Sequence, residues 1–525
     1  MSVHEDFYFM KNKLLGIARI MSILCVFTAG CSIGQKPFQK NIEYDDEGEP
    51  FVENTNDKDF SELTTPGSME KAYEYKNFFL PGLCGTNQPY VGDCMAYYED
   101  GTYYIYYLKD GGDSYNHSVF LTKTTDFVTY EEVEGPVLEA DKAGGQDAWI
   151  GTGSVVKIGD EYLFFYTGHG SHPTCEYAET IKVARGTSPT EFEKDETFEI
   201  IPPDELGQKN DFRDPQAYYD EETGNIVLTV TASKDNVARI LKYTLSSDLK
   251  EVTYDGVIFD DPTKEFWNLE CSDTFKIGDK YYITYSAQDD TLWYAVSDTP
   301  YGPYENAARI DGKLFYAAKH VEGPDGMYMV AWARRSDSPS DIMGVTAWAG
   351  NLIVMKICQN EDGSLYLAPV DKIVEQYKDR RKPLMAQDDV NITAGSRYYY
   401  EEYFNCYESF MLTGKFTYSG NGSFGLAFDY NGNSDNYKMI SIDTRTQLLD
   451  LNFNEGTTDI TSTSVSLKEG ETYSFTYIQE GSVGVFYIDG QASLTVRLYG
   501  VSGKSIRLFA EDCTVDFTDL REYTR

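Results

Sequence analysis

Between residues 97 and 333 apolar and polar positions alternate with period two in short runs, and the runs come in pairs joined by polar turns. The pairs read YYEDGTYYIYYL (97–108), VVKIGDEYLFFYTG (155–168), AYYDEETGNIVLTVTA (217–232), TFKIGDKYYITYSA (274–287) and HVEGPDGMYMVAWA (320–333). In each, a β-type run meets a turn in which Gly sits beside Asp or another turn former. An aromatic-rich run then follows, the pattern of a hairpin. The turns recur roughly every 50 to 60 residues, the length of one four-stranded propeller blade. Five such units predict a five-bladed β-propeller over 76–355; a β-sandwich would give shorter, less regular spacing. Around 356–385 the pattern turns briefly helical (VDKIVEQYKDRRKP) and reads as a linker. From 386 to 525 short alternating strands return with Gly-Asn turns, which predicts an antiparallel β-sandwich. The predicted fold is all-β.

The first 75 residues follow neither period. From Met10 the chain reads MKNKLLGIARIMSILCVFTAGCSIG, with Lys11, Lys13 and Arg19 ahead of an apolar stretch from Ile20 to Gly30. Small residues directly before Cys31 resemble a bacterial lipoprotein signal, in which that cysteine is released by cleavage and lipidated. Thr28 departs from that pattern, and secretion after cleavage nearby is the alternative. Met10 is the expected start, because the acidic residues before it do not belong in a signal's head. Residues 1–31 are thus read as a signal region. Residues 32–75, polar and acid-rich, are read as a flexible tether. The expected location is outside the cell, with the membrane touched only through the lipid anchor.

Composition narrows the partners. Aromatic residues reach 15%, with 43 tyrosines, which favours strands over helices. The formal net charge of −40 disfavours nucleic acid and anionic lipid headgroups, and a neutral polyhydroxylated ligand fits better. Beyond the signal region the cysteines (Cys84, Cys94, Cys175, Cys271, Cys358, Cys406, Cys513) are scattered without a C-x-x-C pair, so they suggest neither a zinc site nor a disulfide scaffold.

The first strand of each propeller blade lines the central channel, so residues just before the hairpins face a common funnel. Asp93, Asp214 and Glu270 lie there, in the segments VGDCMAYY, FRDPQAYY and NLECSDTF. Two carboxylates flanking one bond are the apparatus of glycoside hydrolysis, one protonating the leaving oxygen and the other attacking the sugar or activating water. A third can hold ring hydroxyls as the transition state develops. Within FRDP, Arg213 is expected to neutralise nearby charge and keep Asp214 ionised, and Pro215 to bias Asp214 toward extended backbone.

These segments resemble glycoside hydrolase family 32, the invertase, levanase and inulinase group. That family joins a five-bladed propeller to a C-terminal β-sandwich and carries a WMNDPNG-type first strand, an RDP triplet and an EC pair, in that order. Here VGDCMAYYEDGTYYIYYLKD, FRDP and NLECSDTF stand in the same order, and HSVFLTKTTDFVTY, WIGTGSV, LFYAAK and AWAGNLIVMK resemble further segments. The resemblance covers roughly 80–525. It implies that Asp93 is a nucleophile, Glu270 the general acid and base, and Asp214 a transition-state stabiliser. Arg213, Trp149, Ser154, Lys319 and Trp332 are the implied sugar contacts, with core packing as the alternative for the two tryptophans. No cofactor or metal is implied. The implied reaction is cleavage of β-fructofuranosidic bonds in an oligo- or polysaccharide, with retention if the Asp93 and Glu270 carboxyls stand about 5–5.5 Å apart.

The first signature departs from the family. Gly92, Cys94 and Met95 stand where the family has Asn, Pro and Asn, and Leu108 where it has Gln, although Lys109 and Asp110 lie close by. Two alternatives therefore stay open. One is an inverting propeller glycosidase on arabinan or xylan, with carboxyls about 6.5–9.5 Å apart; the other is a non-catalytic surface glycan-binding lipoprotein. A polar funnel rim is expected for His169 and His172 rather than a metal site. Cys271 is expected to be a small buried hydrophobe, and YNGNSDNY (430–437) a turn rather than a calcium loop.

Overall fold

The computed structural model describes residues 75–81, 90–110, 117–141, 144–170, 173–336, 346–381, 388–405, 407–428, 437–456, 458–498 and 505–525. The signal region, Cys31, nearly all of the expected tether, Cys84, His172, Cys406 and residues 430–436 lie outside them.

Five four-stranded antiparallel sheets follow one another along the chain. Blade one holds β1 (Gly92–Glu99), β2 (Thr102–Asp110), β3 (His117–Thr124) and β4 (Tyr130–Glu132). Blade two holds β5 (Trp149–Ile158), β6 (Glu161–His169), β7 (Glu179–Ser188) and β8 (Glu191–Ile200). Blade three holds β9 (Phe212–Asp220), β10 (Asn225–Lys234), β11 (Val237–Ser246) and β12 (Val252–Asp260). Blade four holds β13 (Leu269–Ile277), β14 (Lys280–Ala287), β15 (Leu292–Ser297) and β16 (Glu305–Arg309). Blade five holds β17 (Phe315–Gly323), β18 (Gly326–Ser336), β19 (Thr346–Gln359) and β20 (Leu365–Ala368). The repeated hairpins are thus the inner two strands of each blade. Gly159 and Gly278, at φ +60° and +58°, open the tight turns of blades two and four, a conformation that side chains resist.

The propeller reaches further than its expected end at 355, because β19 runs on to Gln359 and β20 completes the fifth blade at Ala368. The helical pattern after it yields only one turn, Asp371–Val374, before the chain returns to strand. A run so short gains little from helix propensity once an adjacent sheet edge offers pairing.

The innermost strand of every blade carries a β-bulge at one level. The register shifts fall between Gly92 and Met95, Gly151 and Gly153, Arg213 and Gln216, Glu270 and Asp273, and Tyr316 and Lys319. Four bulges hold a non-glycine residue in left-handed backbone: Asp93 (φ 44°), Asp214 (57°), Cys271 (52°) and Ala317 (53°). The expectation that Pro215 biases Asp214 to extended backbone is thereby overturned. The bulge sets the conformation there, and an aspartate tolerates the left-handed region better than most residues.

The C-terminal domain contains β21 (Asp379–Arg381), β22 (Val390–Thr393), β23 (Tyr399–Asn405), β24 (Ser409–Phe428), β25 (Lys438–Asp443), β26 (Leu448–Phe453), β27 (Thr458–Ser464), β28 (Thr472–Glu480), β29 (Val483–Ile488), β30 (Ala492–Arg497) and β31 (Ser505–Thr524). One hydrogen-bonded sheet makes both layers, because β24 and β31 belong to each. The first half of β24 pairs with β28, its second half with β25, and β31 follows it through both. The fold between layers falls at Gly420–Gly422, where a Cβ on Gly422 would lie 1.9 Å from the Glu511 carbonyl. The result is a nearly closed sandwich around Phe416, Phe424, Tyr477, Phe486 and Leu494.

The two domains share one apolar cluster, in which Phe315, Val330 and Leu352 of blade five meet Ile478, Val485 and Tyr487. Polar ties pin it. The Arg497 guanidinium donates to the carbonyls of Ala333 (2.8 Å) and Arg334 (3.1 Å) and to Asn351 Oδ1 (2.9 Å). Glu480 accepts from the backbone N–H groups of Lys76, Asn77 and Phe78 at 2.8, 2.7 and 3.1 Å. Residues 76–81 therefore belong to the joint between domains rather than to a blade. Replacing Arg497 with Ala leaves buried carbonyls without a donor and should lower stability by about 3 kcal/mol, read as a shifted midpoint in chemical denaturation.

Candidate active site

Asp93, Asp214 and Glu270 enter the funnel from blades one, three and four, at the end where the innermost strands begin. They are not in identical repeat positions: Asp93 and Asp214 are themselves the left-handed bulge residues, whereas Glu270 precedes one, Cys271. The bulge leaves N–H groups outside the strand ladder, and neighbouring blades capture them. Asp214 N–H donates to Thr167 Oγ1 (2.8 Å), Cys271 N–H to Asp214 Oδ2 (2.7 Å), and Ala317 N–H to Ser286 Oγ (3.0 Å). The Asp214 carboxylate thus links its own blade to the blade of Glu270.

Arg213 is the buried cation of the cluster. Its guanidinium donates to Glu270 Oε1 at 3.0 Å, to Glu179 Oε1 at 3.2 Å and to Asp211 Oδ1 at 3.2 Å, and its Nε lies 3.9 Å from Asp214 Oδ2. Four carboxylates thus surround one guanidinium. Burial alone would raise the Glu179 pKa, but Arg213 and His169 outweigh it and hold the carboxyl at about 2. Asp211 is pushed up to about 6 by burial, against the pull of Arg213.

Asp93 stands apart from the guanidinium. Burial, then the charges of Asp214 and Glu270, push its pKa up to about 7. The Trp332 indole, which faces Asp93 without closing a hydrogen bond of ordinary geometry, and His169 pull it down by less. Burial also raises Glu270, opposed by Arg213 and by the Tyr316 hydroxyl, which donates to Glu270 Oε2 at 2.5 Å. Interacting carboxyls titrate as a group, and this group retains a proton near neutrality.

The other expected contacts divide. Trp332 is buried beside Asp93, and the half-buried Trp149 sits at the rim against His117 at 4.7 Å. The Ser154 hydroxyl accepts from Ala217 N–H (2.7 Å) and donates to Pro215 O (3.1 Å), tying blade two to blade three. Lys319 is buried one step further along β17 and donates to Gln216 Oε1 at 2.9 Å, across to blade three. Lys109 is buried with its ammonium 5.5 Å from the Phe120 ring centroid. His169 Nδ1 lies 3.4 Å from Glu179 Oε1, and among the described residues no His, Cys, Asp and Glu side chains group as a metal site. Burial pushes the Cys271 thiol well above its ordinary pKa, and its Sγ lies 3.3 Å from Thr152 Oγ1.

Sequence reasoning missed Tyr316, Thr152 and Glu179. A signal existed for the first two. Tyr316 precedes left-handed Ala317 as Glu270 precedes Cys271, and Thr152 is the bulge residue of blade two. Glu179, at the start of a third strand, had none.

The sequence profile described as "Glycosyl hydrolases family 32 N-terminal domain" matches residues 93–369, more than half of the chain. The chain belongs to that family. The sucrose-6-phosphate hydrolase of Escherichia coli is 26% identical over 242 residues, covering 42% of this chain and 49% of that protein, so the match spans about half of the relative. The sucrose-6-phosphate hydrolase structure from Lactobacillus gasseri superposes with a TM-score of 0.67 at 17% identity, over 87% of this chain and 95% of that one. A β-fructofuranosidase from Aspergillus kawachii gives 0.69 at 15% identity, over 89% and 96%. These two likenesses show a shared two-domain fold.

Tyr316→Phe removes a donor that stabilises ionised Glu270. The Glu270 pKa should therefore move up, and the alkaline limb of any activity that uses Glu270 as an acid should move to higher pH. A pH–rate profile, or a titration of labelled glutamate carboxyls followed by NMR, checks the direction.

Proposed function

We propose that this family 32 protein is a retaining glycoside hydrolase that cleaves β-fructofuranosidic bonds of sucrose, inulin or levan type. We place it outside the cell, held at the membrane through a lipidated Cys31. The observation that carries the catalytic reading is the convergence of Asp93, Asp214 and Glu270 from three blades on one funnel, with a proton retained among them near neutral pH. The names of the related sucrose-6-phosphate hydrolases and β-fructofuranosidase support fructosides as the substrate class. The lipoprotein-like segment ending at Cys31 supports the location, and the net charge of −40 suits an uncharged saccharide.

In this reading the Asp93 carboxylate attacks the anomeric carbon while the bond to the leaving oxygen breaks and Glu270 donates its proton to that oxygen. Water then gives a proton to Glu270 and attacks the same carbon, which frees Asp93 and restores the starting protonation. Asp214 accepts hydrogen bonds from ring hydroxyls, and these strengthen as positive charge develops on the sugar. The reaction needs the shared proton on Glu270 and Asp93 ionised. In the free protein burial and two neighbouring carboxylates hold the proton on Asp93. Only the arrangement with that proton on Glu270 reacts, so kcat/KM should fall as pH rises past about 7, where the group loses the proton that Glu270 must donate.

The test is sugar release by the chain from residue 32 onward, assayed on sucrose, inulin, levan and arabinan beside Asp93→Asn. Fructose release that falls at least about 1,000-fold in the variant is expected, with the first-formed anomer retained by NMR. Inversion, or release from arabinan alone, would move the protein to the other propeller glycosidases. Binding without release would make it a glycan-binding protein.

A further inference from the structure

The funnel wall beside Asp93 is aromatic and drawn from three blades. Trp149 at the start of β5 lies 4.7 Å from His117 at the start of β3. His117 stacks on Trp348 of β19 at 4.8 Å with the planes 9° apart. Trp348 reaches Trp332 at 6.3 Å, and Trp332 meets the ring of Tyr316 edge-on at 5.8 Å. The wall therefore ends on the tyrosine that holds Glu270. Burial, with His169 second, drives the His117 pKa down to about 3, so its ring is an uncharged member of the stack.

Trp348 occupies the space that a side chain at position 92 would need. A Cβ on Gly92 would fall 2.3 Å from Trp348 Cζ2, 2.6 Å from Cη2 and 2.7 Å from Cε2. Gly92 is not among the residues with positive φ, so its backbone would accept any side chain. The indole is the nearest obstacle to one. Met95 and Leu108 are both buried in the apolar cluster against which Trp348 packs. The positions at which this chain departs from its family's polar residues thus form one mutually fitted unit. Half-buried Trp348 keeps its indole N–H buried, without an acceptor among the described residues, so the exposed part of the residue belongs to its other atoms.

Building on the hydrolase reading, we infer that Trp348 is the specificity-determining residue of the sugar subsite next to Asp93. With Gly92 beneath it, the indole grips the sugar by stacking on carbon-bound hydrogens in place of side-chain hydrogen bonds from positions 92, 95 and 108. A subsite of this kind selects furanosides that turn a C–H face to the Trp348 indole. It discriminates weakly against analogues that lack a hydroxyl there, since an apolar wall leaves no polar group unpaired when that hydroxyl is missing.

Full-length parent protein, Trp348→Ala, Gly92→Asn and the double variant decide this, with melting curves to report folding. The readouts are KM and kcat on sucrose and inulin, and calorimetric titration with fructose. Trp348→Ala should stay folded and raise KM at least about tenfold with a smaller change in kcat. Gly92→Asn should lose fructose binding, and the double variant should bind fructose better than either single variant. An unchanged KM in Trp348→Ala, or a double variant no better than the singles, overturns the inference. A parent that releases no sugar overturns the hydrolase reading alone. The titration then still decides, because fructose binding that survives Trp348→Ala intact, or is absent from the parent, sinks the subsite.

Discussion

A bulge placed at one level of all five innermost strands is the constraint on which the site depends. Each bulge adds a residue to one strand, turns a side chain out of the pleat and leaves an N–H outside the ladder. In four blades the residue adopts left-handed backbone, which costs about 1–2 kcal/mol for a side chain other than glycine. That strain is offset by the capture of the freed groups by neighbouring blades. Thr167 takes the N–H of Asp214, Asp214 that of Cys271, and Ser286 that of Ala317. In blade two the Met95 sulfur, from blade one, accepts the Gly153 N–H at 3.0 Å. One device thereby aims Asp93 and Asp214 into the funnel and couples the blades to each other.

Charge is the second constraint. A lone buried guanidinium among Glu179, Asp211, Asp214 and Glu270 cannot serve every carboxylate, and Asp93 lies outside its contacts. Burial then outweighs the pull of Trp332 and His169 on Asp93. The imbalance leaves a proton on Asp93 close to neutral pH, shared with the carboxyls it interacts with. Glu179 and Tyr316 adjust this balance from outside the three acids. The former fixes Arg213 from one side and the latter stabilises ionised Glu270 from the other.

The sandwich domain acts at a distance, through the joint. Arg497 closes on the carbonyls of Ala333 and Arg334, next to Trp332 of the aromatic wall. A Cβ at Gly350 would fall 1.7 Å from the Ala333 carbonyl, so β18 and β19 approach closely in the region that carries Trp332 and Trp348. Bracing of this edge of the propeller is a sufficient account of why the second domain is joined so tightly.

The repeat was legible in the chain because hairpins are local: period-two alternation and a Gly-containing turn specify them within about fifteen residues. The all-β fold, the five blades, the following sandwich and the three acidic residues followed from that. The end of the propeller was not legible, since β19 is a long strand whose last part pairs only with β20. Nor was the backbone of Asp214, where the neighbour preference of Pro215 yields to a bulge set by pairing with β10. What tertiary structure alone decided is which residues share the funnel with the acids. Tyr316 reaches Glu270 across 46 positions of sequence, and Trp348 fills the space above Gly92 from the far end of the propeller. Such contacts carry no local signature, because they depend on the closure of the blade ring and on the directions that its bulges impose.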